Sequence, residues 1–210
     1  MHGFLRHCVF TLDEKRYNKI RAHYDFDGSN ELFPYEGRMT IEIQAPGDSV
    51  FWIFNFVNRS DECIAYNLAL HPFFTKEGLE GIEVGVKEEM LNKPTLIPTG
   101  ETVERTRIVM KTEDVSMDTV FIMDYPFDAV LHYDGFDVDF KASEDFRHAV
   151  VFSSPEKEFM CIEPQTGSTD AHNLHRKGFI REAGLIEVKP GDNHISWFSL
   201  EFRKQTLRSK

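Results

Sequence analysis

Three short segments of the 210-residue chain hold side chains whose types and spacing suit proton transfer. The first is Asn67-Leu68-Ala69-Leu70-His71-Pro72-Phe73-Phe74. A residue before proline is pushed into an extended conformation, and proline cannot donate to a ladder, so His71 is expected at a strand end. Phe73 or Phe74 would offer beside it a flat apolar face of the kind sugar rings stack on. The plain alternative is a core histidine with one hydrogen-bonded nitrogen. The second segment is Cys161-Ile162-Glu163-Pro164-Gln165-Thr166-Gly167, in which Glu163 follows the apolar run Phe159 to Ile162 and Pro164 is expected to end the strand. A carboxylate in that setting is partly desolvated unless something pairs with it. Desolvation raises its pKa towards general-base values, and a nearby cation lowers it. Here the alternative is an exposed strand-end glutamate. The third segment, Met1-His2-Gly3-Phe4-Leu5-Arg6, is hard to explain by packing, its alternative being an unstructured tail.

Other candidates carry less. His172 and His175 lie three apart, but no third and fourth metal ligand is evident, and Asp170 and Asn173 suggest a loop. Asp134, Asp137 and Asp139 lack calcium-loop spacing and alternate along a strand, which reads as a solvated face. Cys8, Cys63 and Cys161 form no CxxC pair and read as small buried hydrophobes. There is no glycine-rich phosphate loop and no nucleophile elbow.

The elements that must hold these side chains are strands. Phe136, Val138 and Phe140 alternate with Asp137, Asp139 and Lys141; Phe198, Leu200 and Phe202 alternate with Ser199, Glu201 and Arg203. Val50 to Val57 and His148 to Phe152 are apolar on both faces and read as strands packed from both sides. Turn signals such as Asp27-Gly28, Pro46-Gly47-Asp48, Asp134-Gly135 and Pro190-Gly191-Asp192 separate the runs. Many short strands at this spacing predict an all-β sandwich or barrel. No helix of three turns is expected; Glu101 to Thr112 is the stretch where a short helical piece would fit. Lys204 to Lys210 reads as a frayed basic tail.

Composition sets the bounds. The 19 phenylalanines favour pleated, half-buried surfaces. The length suits one undivided domain over residues 1–210. A formal net charge of -11 disfavours nucleic acid and anionic membrane as partners. The absence of a signal-peptide pattern and of an apolar run of spanning length makes a cytoplasmic protein the default expectation.

Taken in order, these segments resemble the aldose 1-epimerase (galactose mutarotase-like) family. That family carries an early His-Gly-Phe, here His2-Gly3-Phe4 with Arg6, and then Asn-x-x-x-His-x-x-Phe, here Asn67 to Phe74. It continues with Leu/Ile-Pro-x-Gly-Glu, here Leu96 to Glu101, Leu/Met-Asp, here Met117-Asp118, and Glu-Pro-Gln-Thr, here Glu163 to Thr166 followed by Asp170-Ala171-His172-Asn173. A closing Leu-x-Pro-Gly-Glu has its counterpart in Val188 to Asp192. The resemblance implies an antiparallel galactose mutarotase-like β-sandwich (supersandwich) and interconversion of the α and β anomers of an aldohexose such as glucose or galactose. It implies His71 as general acid, Glu163 as general base, and His2 and Asp118 as hydrogen-bonding partners of the sugar hydroxyls, with Arg6 a weaker candidate. It implies no cofactor and no metal, and a monomer or homodimer. Because the family's His-Gly-Phe normally lies well inside the chain, an N-terminally truncated form is expected. Three other readings compete: a hexose 6-phosphate 1-epimerase, which the lack of an Arg/Lys cluster disfavours, a non-catalytic carbohydrate-binding module on the same fold, and a plain β-sandwich interaction domain, which explains the composition but not the ordered motifs.

Overall fold

Asp134-Gly135 closes a two-residue hairpin in which Tyr133 pairs with Phe136 and Gly135 takes φ +85°. Only glycine adopts that backbone without strain, which is why the dipeptide signals a turn between alternating strands. The rest of the computed structural model, which describes residues 3–114 and 116–205, is built largely in the same way. After a short 3-10 turn (Phe4–His7) come β1 (Thr11–Arg16), β2 (Lys19–Asp27), β3 (Glu36–Gln44), β4 (Ser49–Asn58) and β5 (Ile64–Tyr66). Next come β6 (Phe74–Thr75), β7 (Leu79–Val84), β8 (Val86–Asn92), β9 (Pro98–Glu104) and β10 (Ile108–Lys111), then β11 (Met117–Met123), β12 (Ala129–Tyr133), β13 (Phe136–Ala142), β14 (His148–Ser153) and β15 (Phe159–Gln165). Two short helices follow, α1 (Ala171–Arg176) and α2 (Ile180–Ala183), and then β16 (Ile186–Val188) and β17 (Asn193–Lys204). The fold is all-β with antiparallel pairing, and no helix among the described residues is long and apolar enough to cross a membrane.

Residue contacts divide the chain into two units. Residues 1–66 with 186–199 form the first. Its strands β1 to β4 make an antiparallel meander, and β5 pairs with β16. Much of the phenylalanine content sits here: Phe26 meets Phe33 at 4.7 Å and Phe56 at 6.0 Å between ring centres. The buried Asn58 donates through its amide to the carbonyls of Glu62 and Val188, tying the turn after β4 to the turn at Pro190-Gly191-Asp192.

Residues 67–185 with 200–210 form the second unit, which carries the chemistry-bearing segments 67–74 and 161–167. Its strands lie in two sheets, β13-β12-β7-β10 and β6-β15-β14-β11-β8-β9. The inner faces meet through Phe74 of β6 on Phe140 of β13, 5.3 Å between rings, and through the Tyr133 hydroxyl of β12, which donates to the Thr75 carbonyl of β6. Met160, Ile162 and Val151 bury themselves on one side of this interface, and Ile82, Leu131 and Val138 on the other. Removing such surface from water supplies roughly 1.5–3 kcal/mol per large side chain.

Four local expectations change. Of the stretch Glu101 to Thr112, where a short helical piece was expected, the part up to Lys111 is not helical: β9 pairs with β8 and β10 with β7, and a 3-10 turn begins only at Thr112. The β-branched Thr102, Val103, Ile108 and Val109 suit the pleat better than a helix. Asp137 is not on a solvated face; it is buried and bonded to His132 Nδ1 (2.8 Å), to Gln205 and to Arg203. His172 and His175 lie on α1 rather than in a loop. The tail expected at Lys204–Lys210 begins in β17 with Lys204, and its residues 206–210 lie outside the described residues.

Candidate active site

Along β15 the side chains alternate. Met160 and Ile162 point to the interior between the sheets, and Cys161, Glu163 and Gln165 share the opposite face. Cross-strand pairing extends that face. Cys161 lies beside Phe152 of β14, which lies beside Asp118 of β11; Glu163 lies beside Val150, which lies beside Val120; Gln165 lies beside His148 and then Ile122. Helices α1 and α2 cover part of this surface, packing Ala171, Leu174 and Ala183 on Met90, Val120, Ile122 and Val150. A bidentate pair from Arg181 to Glu88 (2.5 and 2.8 Å), helped by the Thr102 hydroxyl, ties α2 to β8 and holds the Glu88 carboxyl down at about 2.

His71 reaches Glu163 because the segment before it is pinned to the edge of β15. The Leu68 N–H donates to Thr166 Oγ1 and the Thr166 N–H to the Leu68 carbonyl, each at 2.8 Å; the Leu70 N–H donates to the Pro164 carbonyl at 3.0 Å. Ala69 bridges to Gln165, and the Asn67 amide donates to the Ser168 carbonyl. Pro164 does not end the strand, contrary to expectation: β15 runs through it to Gln165. The carbonyl and nitrogen of one strand residue point to the same side, and the Pro164 carbonyl faces segment 68–70, so its missing N–H falls on that edge. Pairing there stops at Leu70, and the chain leaves the edge around Pro72. The next residues to rejoin β15 are Phe74 and Thr75, opposite Met160 and Phe159.

His71 Nε2 lies 3.3 Å from Glu163 Oε1. The imidazole side chain keeps 31% of its surface open and the carboxylate 9%, so the pair has one accessible side. The His71 ring stacks on Phe73 (4.7 Å, 11° between planes), and Phe73 meets Phe159 edge-on at 5.1 Å. Of the two phenylalanines in the segment, the exposed Phe73 belongs to this site, and Phe74 belongs to the core. Burial pushes the Glu163 carboxyl up to about 7; the Gln165 amide, 3.5 Å away, opposes this and the negative charge of Asp118 adds to it. Burial likewise pushes the Cys161 thiol up to about 12, with the Glu163 charge adding to the effect.

Of the residues singled out in the sequence, His71 and Glu163 are thus in contact, and Asp118 stands exposed on the same face, close enough to act on the Glu163 charge. His2 lies outside the described residues. Arg6 lies in the Phe4–His7 turn and bonds to His7. His172 and His175 join no group of three metal-ligating side chains among the described residues. Sequence reasoning read Cys161 only as a small buried hydrophobe and passed over Gln165, and the signal was available: both stand two residues from Glu163, which on a strand means the same face.

The family model described as aldose 1-epimerase matches residues 1–201. A search of the curated proteins returned no match. Among solved structures, the chain is similar to a galactose mutarotase-like protein from Clostridium acetobutylicum, with TM-score 0.84 and 16% identity over 98% of this chain and 69% of that one. It is also similar to a galactose mutarotase related enzyme from Lactobacillus acidophilus, with TM-score 0.77 and 18% identity over 99% of this chain and 75% of that one. A galactose 1-epimerase from Lactobacillus acidophilus NCFM matches with TM-score 0.72 and 13% identity over 95% of this chain and 68% of that one. At such identities the likeness establishes a shared fold.

Proposed function

The chain belongs to the aldose 1-epimerase family, and from that premise we propose that it interconverts the α and β anomers of an aldohexose, with His71 and Glu163 as its acid and base. The observation that carries the proposal is the 3.3 Å approach of His71 Nε2 to a carboxylate that burial holds near neutrality. The two oxygens that must exchange protons in an anomeric interconversion, the ring oxygen and the anomeric hydroxyl, sit on one carbon. Acid and base must therefore converge on a single point from an accessible side, and a general base works best with a pKa near the working pH.

In the proposed cycle, ionised Glu163 takes the proton of the anomeric hydroxyl while protonated His71 gives one to the ring oxygen. The C1–ring oxygen bond breaks and a free aldehyde forms. Rotation about C1–C2 presents the other carbonyl face, and ring closure returns both protons. The exposed face of Phe73 offers a platform for the sugar, and Asp118 a hydrogen-bond acceptor for its hydroxyls. The resemblance assigns His2 a similar part. A neutral sugar suits the site better than a sugar phosphate, because the described side chains around the pair (Phe73, Asp118, Phe152, Phe159, Cys161 and Gln165) bring no cation to meet a phosphate.

Polarimetry of freshly dissolved α-glucose and α-galactose tests this. The chain should accelerate the approach to anomeric equilibrium, and His71→Ala and Glu163→Gln should each lower kcat by about 100- to 10,000-fold, the range a positioned proton transfer contributes. Near-normal rates in either folded variant would remove the assignment. Sugar binding by calorimetry without any acceleration would instead favour a non-catalytic carbohydrate-binding module, and faster turnover of glucose 6-phosphate than of glucose would favour the phosphate reading.

A further inference from the structure

We infer that His71, Cys161 and Glu163 form a site for a thiophilic divalent cation of the Zn2+ type, which would occupy the position proposed for the reacting sugar and block it. One donor atom from each of the three lies within 4.8 Å of the other two. The geometry is close to what such an ion requires. Zinc binds imidazole nitrogen at about 2.0–2.1 Å and carboxylate oxygen at about 2.0–2.2 Å, so neighbouring N and O ligands of a tetrahedron stand roughly 3.3–3.5 Å apart. The separation of His71 Nε2 from Glu163 Oε1 is 3.3 Å. A zinc–sulfur bond of about 2.3 Å places sulfur slightly farther out, inside the 4.8 Å that encloses the three donor atoms.

The three ligands arrive by two routes. Cys161 and Glu163 share a face because they stand two apart on β15, and His71 is delivered by the pinned segment 68–70. The accessible side of the pair leaves a fourth position for water or an external ligand, the pattern of an open zinc site. Charge supports the same conclusion. Cys161 and Glu163 are both buried, where an unpaired anion is disfavoured, but a thiolate and a carboxylate together neutralise a divalent ion. Thiolate and imidazole ligands favour zinc, and cobalt as its spectroscopic stand-in, over magnesium or calcium.

Binding does not depend on the pair being catalytic; only the inhibition rests on that reading. Co2+ is the direct probe. One equivalent added to the full chain should produce a near-ultraviolet thiolate-to-cobalt charge-transfer band together with the intense visible bands of four-coordination, and Zn2+ should abolish both. Cys161→Ala should remove the charge-transfer band and weaken Zn2+ binding by calorimetry at least tenfold. His71→Ala and Glu163→Gln should each weaken binding at least tenfold, which keeps the test decisive if one variant fails to fold. Cys8→Ser and Cys63→Ser, which alter the other two free cysteines, should leave the band in place. In the polarimetric assay, Zn2+ should inhibit the unaltered chain at a concentration at least tenfold below that needed for Cys161→Ala. Absence of the band at one equivalent, its survival in Cys161→Ala, or its loss in Cys63→Ser would overturn the site. A chain that shows the band but never accelerates mutarotation would sink the epimerase reading and leave the metal site standing, and an active chain without the band would do the reverse.

Discussion

Glu163 is kept in a state that suits chemistry and costs stability. Its carboxyl is pushed up from 4.5 to about 7 by burial, so the folded protein binds a proton there that the unfolded chain gives up earlier. The sign follows directly: the favourable contribution is complete below pH 4.5 and is lost as pH rises through 7. A tenfold change in proton affinity is worth about 1.4 kcal/mol, so the cost above pH 7 approaches, at most, about 3 kcal/mol. Glu163→Gln carries no such proton, and urea unfolding at pH 8 should find it more stable than the unaltered chain by up to that amount. An unchanged or lower midpoint at pH 8 would show that Glu163 is not held neutral by its surroundings. At this scale much was legible in the sequence. A glutamate after four apolar residues signals desolvation, and a histidine before proline signals a strand end. Which phenylalanine faces His71 was not legible, because adjacent residues on an extended chain point opposite ways and only the register of β6 decides between Phe73 and Phe74.

The element that delivers His71 is the pair of backbones 68–70 and 164–166. Thr166 holds it by both ends, accepting the Leu68 N–H on its hydroxyl and donating its own N–H to the Leu68 carbonyl. Thr166→Val keeps the volume and removes the acceptor, leaving a buried N–H unpaired at a cost of about 1–3 kcal/mol. It should also lower kcat, because the imidazole is no longer held against the carboxylate, and Thr166→Ser should restore both. Urea midpoints and polarimetric rates measured side by side check this, and an unchanged rate in the valine variant would separate the threonine from His71. The conjunction of Asn67 with Thr166 was visible as motif text, but its meaning was not: the two residues are far apart in the chain, and only the pairing of β15 with segment 68–70 shows that the motifs share a hydrogen-bond ladder. The strand periods were readable locally, whereas the short helices were masked by loop-like Asp170 and Asn173. Asp170 takes φ +60° at the start of α1 and its carboxylate accepts from the Asn173 side-chain amide, a pairing between two residues that also favour turns.

Across the whole molecule, a second buried group opposes Glu163. His148 lies on β14 beneath α2, with Nε2–H donating to the Glu182 carbonyl at 3.0 Å and Gly184 so close that an added Cβ would stand 2.6 Å from its ring. Burial pushes the imidazole down to about 4, so its contribution is intact above pH 6.5 and is lost as pH falls towards 4. The two groups titrate in opposite directions through overlapping windows, each worth about 3 kcal/mol at most. Between pH 4.5 and 6.5 their slopes should nearly cancel, giving an almost flat stability profile. Glu163→Gln should expose a profile that falls with acid, and His148→Gln one that falls with alkali; thermal unfolding at half-unit pH steps reads both, and a steep profile in the unaltered chain would refute the balance. The alternation of β15 has a final consequence. A one-residue slip of that strand would turn Ile162 outward and drive the Glu163 carboxylate between two apolar sheets, a state too costly to persist. The register that buries the core is thus the register that presents the proposed base. Quality control of the fold is therefore also quality control of the proposed acid–base pair, and in any preparation the titrated fraction of competent sites should equal the fraction of molecules that are native.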